Sequence, residues 1–424
     1  MLLLKGGHAH DPQIDLDDVI DILIVDGNIA RAEKNIDEPD AQVVDCTGLE
    51  ITPGLVDMHV HFRDPGLEYK EDIATGSAAA AHGGFTDVAT MPNTDPVCDT
   101  GASVAYQRAR GEEVGLVNIH PIGALTREEK GESLAEIGDM VLAGAAGFSD
   151  DGHGVQSASM MRTCMKYVSQ FDRTVIAHCE VDDLSGKGVV NAGRASTRLG
   201  MFGWPGLAEE AEVARDIALS RSTGCPLHIA HISTKRSLEL VREAKKEGLL
   251  VTCEVTPLHL FLTEDDITDT YNTNLKVNPP LRTKEDAEAL LEGVLDGTID
   301  AVVSDHAPHA AHEKDCEFEL AAFGSVGLET TVPLLLSYMA KKKLLDFARF
   351  VELLAINPRA ILRLRPVTLA PGSVASITVL DSQKKVTVDT EYLQSKSKNS
   401  AFLGSTLQGA AVTVIKDGVI TYQS

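Results

Sequence analysis

The interpretation of this chain rests on Gly54-Leu55-Val56-Asp57-Met58-His59-Val60-His61, followed directly by Phe62-Arg63-Asp64-Pro65-Gly66. The apolar residues of the first part predict a β-strand, and strand side chains two positions apart point to the same face. His59 and His61 therefore share one face, and Met58 and Val60 are expected to pack on the other. Two imidazoles on one face can bind a single metal ion. This stretch thus predicts a metal site at the end of a buried strand.

A second pair of histidines, His8 and His10, has the same spacing. This pair lies in a polar N-terminal segment just before Asp11-Pro12, and no buried strand is predicted there to orient the two rings. We interpret His8 and His10 as solvated residues of a turn.

Short apolar runs alternate with helical patterns from about residue 55 onward, as in repeated βα units around a parallel sheet. Amphipathic helices are predicted between the runs, for example at residues 206–223 and 234–247. Eight such units predict an α/β fold with a closed (β/α)8 TIM barrel. The eight runs are residues 55–61, 85–91, 116–122, 146–149, 174–180, 226–231, 249–256 and 300–305.

Both ends of the sequence predict short strands joined by tight turns. Residues 22–25 precede Asp26-Gly27, and residues 412–415 precede Asp417-Gly418, which are hairpin signals. We expect the two ends to pair into a small β-sandwich domain. The predicted division is residues 1–54 and 366–424 for this domain and residues 55–365 for the barrel.

The composition limits the partners and the compartment. The 424 residues carry a formal net charge of -25 at pH 7, which disfavours nucleic acid and membrane partners. An anionic substrate would therefore need local positive charge. Seven cysteines are dispersed without a C-x-x-C pair, as in a reducing compartment, and the N-terminal apolar run is too short for a signal peptide. We expect a cytoplasmic protein.

Candidate metal ligands lie at the predicted strand ends, where βα barrels place their catalytic groups. The arrangement allows two ions. His59, His61 and Asp305 can bind one and His178 and His231 the other, with one carboxylate bridging both. Imidazole and carboxylate ligands favour zinc or a similar metal, which can activate water and polarise an amide carbonyl. Asp150 and Asp151 both follow the fourth run.

Four other histidines are not assigned to this centre. His228 lies three residues before His231, so we expect it to face the helices as a packed residue. His120, on the third run, is expected in the core. His306 and His312 are expected to be loop residues without a role.

The chain resembles the amidohydrolase superfamily and, within it, the class I dihydroorotases of the bacterial type. The resemblance covers almost the whole length. It rests on Asp57-Met-His-Val-His-Phe-Arg63, Met91-Pro-Asn-Thr94, Phe148-Ser-Asp-Asp-Gly152, Ala177-His-Cys-Glu180, His231-Ile-Ser-Thr234, Asn278-Pro-Pro-Leu-Arg282, and Ser304-Asp-His-Ala-Pro-His309 with Lys314.

The resemblance implies two zinc ions per chain. One is bound by His59, His61 and Asp305 and the other by His178 and His231, and Asp151 bridges them. Many relatives in the superfamily bridge with a carboxylated lysine. This chain has no lysine near the fourth run until Lys166, so the Asp-bridged subtype fits better.

The resemblance also implies the catalytic and substrate residues. Asp305 would be the catalytic proton shuttle. Dihydroorotate carries a carboxylate, which the Arg63 guanidinium, the Asn93 amide and a His309 donor can hold by charge-assisted hydrogen bonds. The implied substrate contacts are Arg63, Asn93, Asn278 and His309, with backbone contacts at Phe323 and Gly324.

The implied enzyme interconverts N-carbamoyl-L-aspartate and L-dihydroorotate in pyrimidine biosynthesis. One alternative is a hydantoinase or allantoinase, which Arg63, Asn93 and the absent bridging lysine disfavour. The other is a non-catalytic scaffold subunit of aspartate transcarbamoylase, although such chains usually lack the ligands that this one keeps. A complex with an aspartate transcarbamoylase and a homo-oligomer are both open to such a chain.

Overall fold

The computed structural model describes residues 1–342 and 345–424. Its strands are β1 (Leu2–Asp11), β2 (Leu16–Val25), β3 (Asn28–Glu33), β4 (Gln42–Asp45), β5 (Glu50–Pro53), β6 (Leu55–Val60), β7 (Phe85–Thr90), β8 (Asn118–Ala124), β9 (Gly147–Ser149), β10 (Thr174–Ala177), β11 (Val190–Asn191), β12 (Gly203–Trp204), β13 (Leu227–Ile229), β14 (Val251–Val255), β15 (Ala301–Val302), β16 (Ile377–Thr387), β17 (Thr406–Lys416) and β18 (Val419–Gln423).

The α-helices are α1 (Ile73–Gly83), α2 (Gly101–Val114), α3 (Ile137–Ala143), α4 (Ala158–Val168), α5 (Asp182–Ser185), α6 (Arg194–Leu199), α7 (Leu207–Thr223), α8 (Lys235–Lys246), α9 (Pro257–Phe261), α10 (Lys284–Asp296), α11 (Ala311–Lys314), α12 (Leu328–Lys342), α13 (Phe347–Val351) and α14 (Asn357–Ile361). A π-helical turn at Glu352–Ile356 joins α13 to α14.

Eight parallel strands form the barrel, in the order β15-β14-β13-β10-β9-β8-β7-β6. The backbone N–H of His61 donates to the carbonyl of His306 at 2.9 Å, which joins the end of β6 to the segment after β15. Each of the eight predicted runs overlaps one of these strands. The predicted (β/α)8 barrel is therefore confirmed.

The carboxylate of Asp57 also links the first and last barrel strands. It accepts the backbone N–H of Ser304 at 3.0 Å and that of His59 at 3.1 Å. The carboxylate is fully buried, so it supplies acceptors that the backbone at this junction would otherwise lack.

Strand β6 departs from simple alternation. Its pairing with β7 shifts register between Asp57 and Val60. Met58 and Val60 consequently pack into different apolar clusters, and the prediction that they share one face was wrong. The irregularity still leaves His59 and His61 on the side of the barrel mouth.

Both ends of the chain form a second, mixed sheet, as predicted. Its strand order is β18-β17-β16-β5-β1-β2-β3, with β4 paired to β1. The predicted turns at Asp26-Gly27 and Asp417-Gly418 join β2 to β3 and β17 to β18. The predicted residue boundaries of the two domains stay a prediction.

The interpretation of His8 and His10 as turn residues was wrong. Both lie within β1, paired with β2 on one side, and His8 lies opposite Glu50 of β5. The apparently polar segment is a strand because its apolar neighbours Ala9 and Leu4 are buried in the core of this sheet.

A buried ion pair fixes α14 beneath the barrel. Arg359 Nη2 lies 2.6 Å from the carboxylate of Asp87 on β7 and donates to the carbonyl of Gly54 at 3.1 Å. His120 contacts the same carboxylate at 2.8 Å, so this histidine belongs to a structural network. Burial opposes ionisation of Asp87, but Arg359 and His120 hold its pKa well below the usual range.

Within the part of the chain that the structure describes, we find no helix with the length and apolar character needed to cross a membrane.

We predict that Arg359→Met destabilises the protein by about 3 to 5 kcal/mol, because it leaves the buried Asp87 carboxylate without its strongest partner. Denaturant unfolding of the variant measures this loss. The double variant Arg359→Met with Asp87→Asn removes the unpaired charge and should recover part of the lost stability. Equal stability of wild type and Arg359→Met would contradict this role.

Candidate metal centre

The barrel mouth brings together all six predicted metal ligands. His59 lies on β6 and His61 directly after it, while the other four follow the ends of their strands within three residues. Each of the six residues is at most 8 % exposed. The ligands that follow later strands are Asp151 after β9, His178 after β10, His231 after β13 and Asp305 after β15.

The first group of ligand atoms surrounds the imidazoles of His59 and His61. His61 Nε2 lies 3.2 Å from Asp305 Oδ1 and 3.5 Å from Asp151 Oδ2. His59 Nε2 lies 3.4 Å from Asp151 Oδ1 and 3.7 Å from Asp305 Oδ1. Ligand atoms at about 2.0 to 2.1 Å from a tetrahedral zinc ion are separated by about 3.3 Å. These spacings fit one such ion.

The second group consists of His178, His231 and the same aspartate. His178 Nδ1 and His231 Nε2 are 3.0 Å apart, and each lies 3.6 Å from Asp151 Oδ1. Asp151 is therefore the carboxylate common to both groups, each of which could hold a metal ion.

Among residues 1–342 and 345–424, two buried atoms of the centre find no hydrogen-bond partner, namely His59 Nε2 and Asp151 Oδ1. A buried polar atom without a partner is costly, and a cation between these two atoms would remove that cost. Burial raises the pKa of Asp151, but the surrounding imidazoles outweigh it and hold the pKa well below the usual range. The carboxylate is thus anionic, as a bridging ligand requires.

Three neighbouring side chains orient the imidazoles. His59 Nδ1 donates to Glu254 at 2.6 Å, His61 Nδ1 to the Asn93 amide oxygen at 2.8 Å, and His178 Nε2 to Glu180 at 3.1 Å. Each bond places the ring proton on one nitrogen and leaves the other nitrogen as an acceptor toward Asp151 or Asp305. This is the usual arrangement behind metal-binding histidines.

Sequence reasoning missed Glu254. It is a fully buried carboxylate within the apolar strand β14, and that contrast is the signal that could have revealed it. Glu254 also contacts His228 Nε2 at 3.1 Å. His228 is buried, but the prediction that it faces the helices was wrong. Its neighbours Leu227 and Ile229 pack into the core cluster that includes the helices, whereas His228 contacts Glu254 and through it His59.

A cavity of about 320 Å³ opens above the ligands. It contains every predicted substrate residue, and it also includes His153, which sequence reasoning did not single out. Its lining comprises Arg63, Asn93, Asn278, His309, Phe323 and Gly324 together with five of the ligands.

Arg63 and Asn278 each have one buried polar atom in this cavity that no described residue contacts by a hydrogen bond. Arg63 is 9 % exposed, and the atom is its Nε. The amide oxygen of Asn278 is likewise buried without a partner, while its Nδ2 donates to Glu180 at 3.1 Å. A buried cation beside a free acceptor is what a polar anionic ligand would need.

Backbone strain is concentrated at the same mouth. Arg63, His231 and Asp305 adopt positive φ angles of 60°, 28° and 46°. Non-glycine residues rarely adopt this conformation, and it persists where the surrounding structure enforces it, often at functional sites.

His309 differs from its predicted role as a donor. Its Nε2 lies 2.7 Å from the carbonyl oxygen of Phe323, so the ring proton must be on Nε2. Burial, assisted by the nearby charges of Arg63 and Lys70, lowers the pKa of His309 to about 3. The ring is therefore neutral near pH 7, and Nδ1 can only accept a hydrogen bond.

Two hydrogen bonds hold the loop at Phe323 and Gly324. Gly324 donates its N–H to the Lys276 carbonyl at 2.8 Å, and Lys314 Nζ donates to the Ala322 carbonyl at 2.7 Å. Gly324 has a φ of 138°, and a Cβ atom there would lie 2.7 Å from that of Ala307. Only glycine fits without displacement of the cavity wall.

Asn399, which sequence reasoning missed, lies in the segment between β16 and β17 and contacts the same loop. Its side-chain amide donates to the carbonyls of Ala307 and Gly324 at 3.1 and 3.2 Å, and its oxygen accepts the His309 N–H at 3.1 Å.

Asp150 points away from the metal cluster, as expected of the neighbour of Asp151. Its carboxylate accepts the backbone N–H groups of Leu125 at 2.8 Å and Thr126 at 3.0 Å. His306 lies between β15 and α11, as expected of a loop residue, and it is fully buried and contacts Glu71 at 3.3 Å. His312 lies in α11 and stacks on Tyr69.

Comparison with protein families matches residues 48–237 to the family described as dihydro-orotase-like. A protein named dihydroorotase from Acetivibrio thermocellus is 48% identical over 417 residues, which cover 98% of each chain. A protein of the same name from Geobacter sulfurreducens is 50% identical over 422 residues and 99% of each chain.

Solved structures with the same fold include an L-hydantoinase from Arthrobacter aurescens, with a TM-score of 0.89, 26% identity, and coverage of 100% of this chain and 96% of that one. A dihydropyrimidinase from Brevibacillus agri has a TM-score of 0.87 at 20% identity and covers 100% of this chain and 95% of its own. The second likeness concerns the fold alone.

We predict that Asp151→Asn loses at least one metal ion, because the amide cannot carry the charge that links the two groups. Elemental analysis of the purified variant measures the loss. Asp150→Asn is the matched control, since its side chain can still accept the bonds from Leu125 and Thr126, and it should keep the full metal content. Unchanged metal in a folded Asp151→Asn protein would refute the bridging position.

Proposed function

The chain belongs to the dihydroorotase family, and we propose that it interconverts N-carbamoyl-L-aspartate and L-dihydroorotate, a step of pyrimidine biosynthesis. The proposal is carried by one observation: among the described residues, a buried Arg63 whose Nε has no hydrogen-bond partner lies in the same cavity as five of the six candidate ligands. The proposed reaction would make the chain a cyclic amide hydrolase. The 48% identity to a dihydroorotase across nearly the full length supports this function.

We propose that the centre takes two zinc ions. One ion would be bound by His59, His61 and Asp305, and the other by His178 and His231. The Asp151 carboxylate would bind both ions. When bound, such ions polarise the scissile carbonyl and activate water. The imidazole and carboxylate donors suit zinc, because thiolate ligands are absent from the two groups.

The carboxylate of the substrate would bind to Arg63. The Arg63 guanidinium can form two charge-assisted hydrogen bonds with a carboxylate. Its Nε would not have to break a hydrogen bond to a described residue in order to bind the ligand. The Nδ2 group of Asn93 is the second donor, since its oxygen is already occupied by His61. His309 Nδ1, an acceptor, would instead bind a ring N–H, as would the free oxygen of Asn278.

Asp305 would move the proton. It would accept a proton from the attacking water and deliver it to the ring nitrogen as the C–N bond breaks, first as general base and then as general acid. Burial raises the pKa of Asp305, but the contacts with His61 and His59 outweigh it and keep the pKa below the usual value. The side chain therefore starts the hydrolytic direction unprotonated.

Two alternatives are less well supported. A hydantoinase shares this fold, but its cyclic amides carry no carboxylate that would require Arg63. A non-catalytic scaffold has no need of six buried ligands in the geometry described. Association with an aspartate transcarbamoylase, a homo-oligomeric state and a location in the cytoplasm stay predictions from the sequence.

We predict that Arg63→Met erases the preference for dihydroorotate over dihydrouracil, which has the same ring without the acid. Loss of a charged hydrogen-bonding partner costs about 1.5 to 3 kcal/mol. Dihydroorotate turnover at low substrate should therefore fall at least about tenfold, with zinc content unchanged. Kinetics on both rings, measured beside elemental analysis, test this.

Arg63→Lys is the matched control for charge without the fork, and it should lose less of the preference than Arg63→Met. Comparable wild-type rates on both rings, or undiminished discrimination in Arg63→Met, would return the hydantoinase function to first place.

The scaffold alternative has its own test. We predict that the isolated, zinc-loaded chain turns over dihydroorotate, and that addition of an aspartate transcarbamoylase raises this rate if the complex orders the substrate loops. Assays with and without the transcarbamoylase measure both effects. Zero turnover in both, at full zinc occupancy, would favour the scaffold.

A further inference from the structure

A second cluster of side chains that could bind a metal lies away from the barrel mouth. It is on the second sheet, which both ends of the chain form and which we call the terminal sheet. His8 and His10 extend from β1, Asp17 lies opposite His10 on β2, and Glu50 lies opposite His8 on β5. The four side chains share one face of the sheet. His8, His10 and Asp17 line part of a cavity of about 690 Å³ between this sheet and helices α12 and α13, and this cavity is larger than the one above the metal centre.

Asp17 contacts both histidine rings. Its Oδ1 lies 2.8 Å from His8 Nε2 and 3.1 Å from His10 Nδ1. A carboxylate oxygen only accepts, so His8 donates its Nε2 proton to Asp17, and Nδ1 of a neutral His8 is an acceptor. His10 lies between two carboxylates, and its Nε2 is an acceptor when its ring proton is on Nδ1, toward Asp17.

Both of these nitrogens face the Glu50 carboxylate. Glu50 Oε2 lies 2.8 Å from His10 Nε2 and 3.5 Å from His8 Nδ1. With the His10 proton on Nδ1, where it donates to Asp17, the three atoms would offer their lone pairs to one cation. His8, His10 and Glu50 also place one ligand atom each within 4.8 Å of one another.

We propose that His8 Nδ1, His10 Nε2 and Glu50 Oε2 bind one divalent transition-metal ion, with Asp17 as the carboxylate that orients both rings. The donors are two imidazoles and one carboxylate, which suit Zn²⁺, Co²⁺ or Ni²⁺. A histidine whose second nitrogen donates to a carboxylate is the common form of metal-binding histidine.

The surroundings suit an ion that enters from solvent. The side chains of His8 and Asp17 are 41% and 75% exposed, whereas those of His10 and Glu50 are 8% and 17% exposed. The His10 ring is held by stacking on Phe347 of α13, with ring centroids 4.5 Å apart. The ion would therefore join β1 to β5 beside the helix that packs on them.

The test uses the active holoenzyme, with its barrel centre already loaded with zinc. Equilibrium dialysis against low micromolar ZnCl₂, followed by elemental analysis, should find one equivalent of zinc above the barrel content. Zinc should also raise the unfolding temperature, because it binds the folded state. His8→Ala and Glu50→Gln should both lose the extra equivalent while the activity and the barrel zinc are retained.

A matched pair of variants tests the orienting role. Asp17→Asn should weaken the extra site about 10- to 100-fold. Asp18→Asn, the next residue along β2, should leave its affinity unchanged. Retained activity shows that each variant is folded, because the barrel centre is separate from this cluster.

Two results would overturn the proposal. Wild-type holoenzyme could bind no zinc beyond its barrel content, which would make the cluster a hydrogen-bonded network of two histidines with two carboxylates. Alternatively, the extra equivalent could persist in both His8→Ala and Glu50→Gln, which would place it elsewhere on the molecule.

Discussion

Closure of the barrel between β6 and β15 is the constraint on which the metal centre depends. Asp57 carries this closure with one carboxylate that accepts N–H groups from both strands. Burial raises the pKa of Asp57 to about 7, so the protein accepts a costly group at this position. The closure brings Asp305, from the last strand, to 3.2 Å from His61, from the first. Two ligands separated by most of the chain thus meet because the sheet has no open edge there.

The electrostatics of the mouth follow from the same geometry. Asp151 and Asp305 lie among the imidazoles. Glu254 and Glu180 accept hydrogen bonds from the far nitrogens of His59 and His178. The protein as a whole has a formal net charge of -25. This much buried negative charge requires cations at close range. Metal ions at the two ligand groups would satisfy that requirement, and Arg63 adds a fixed positive charge at the cavity wall. An acidic protein can in this way offer a site that attracts an anion.

The sequence was sufficient for the barrel, because apolar runs are local properties, and the resemblance named the six candidate ligands that the structure brings together. It was insufficient for Glu254 and Asn399, whose contacts join residues 195 and 90 positions apart, as with Glu254 to His59 and Asn399 to His309. The donor role predicted for His309 failed because a tautomer depends on the partner of the other ring nitrogen. His8 and His10 were misjudged because their strand is recognisable only from its pairing with β2 and β5.

Asn399 has a consequence for the order in which the molecule is made. The barrel strands and all six ligands precede residue 306, whereas the side chain that ties Ala307, His309 and Gly324 together is translated later. The terminal sheet is also completed late in translation, because Thr52 on β5 pairs with Thr378 on β16, 326 residues further along. Domains tend to fold from the N-terminus during synthesis. On the ribosome, β1, β2 and β3 can therefore pair early, but β5 must wait for β16, and the substrate loop must wait for Asn399.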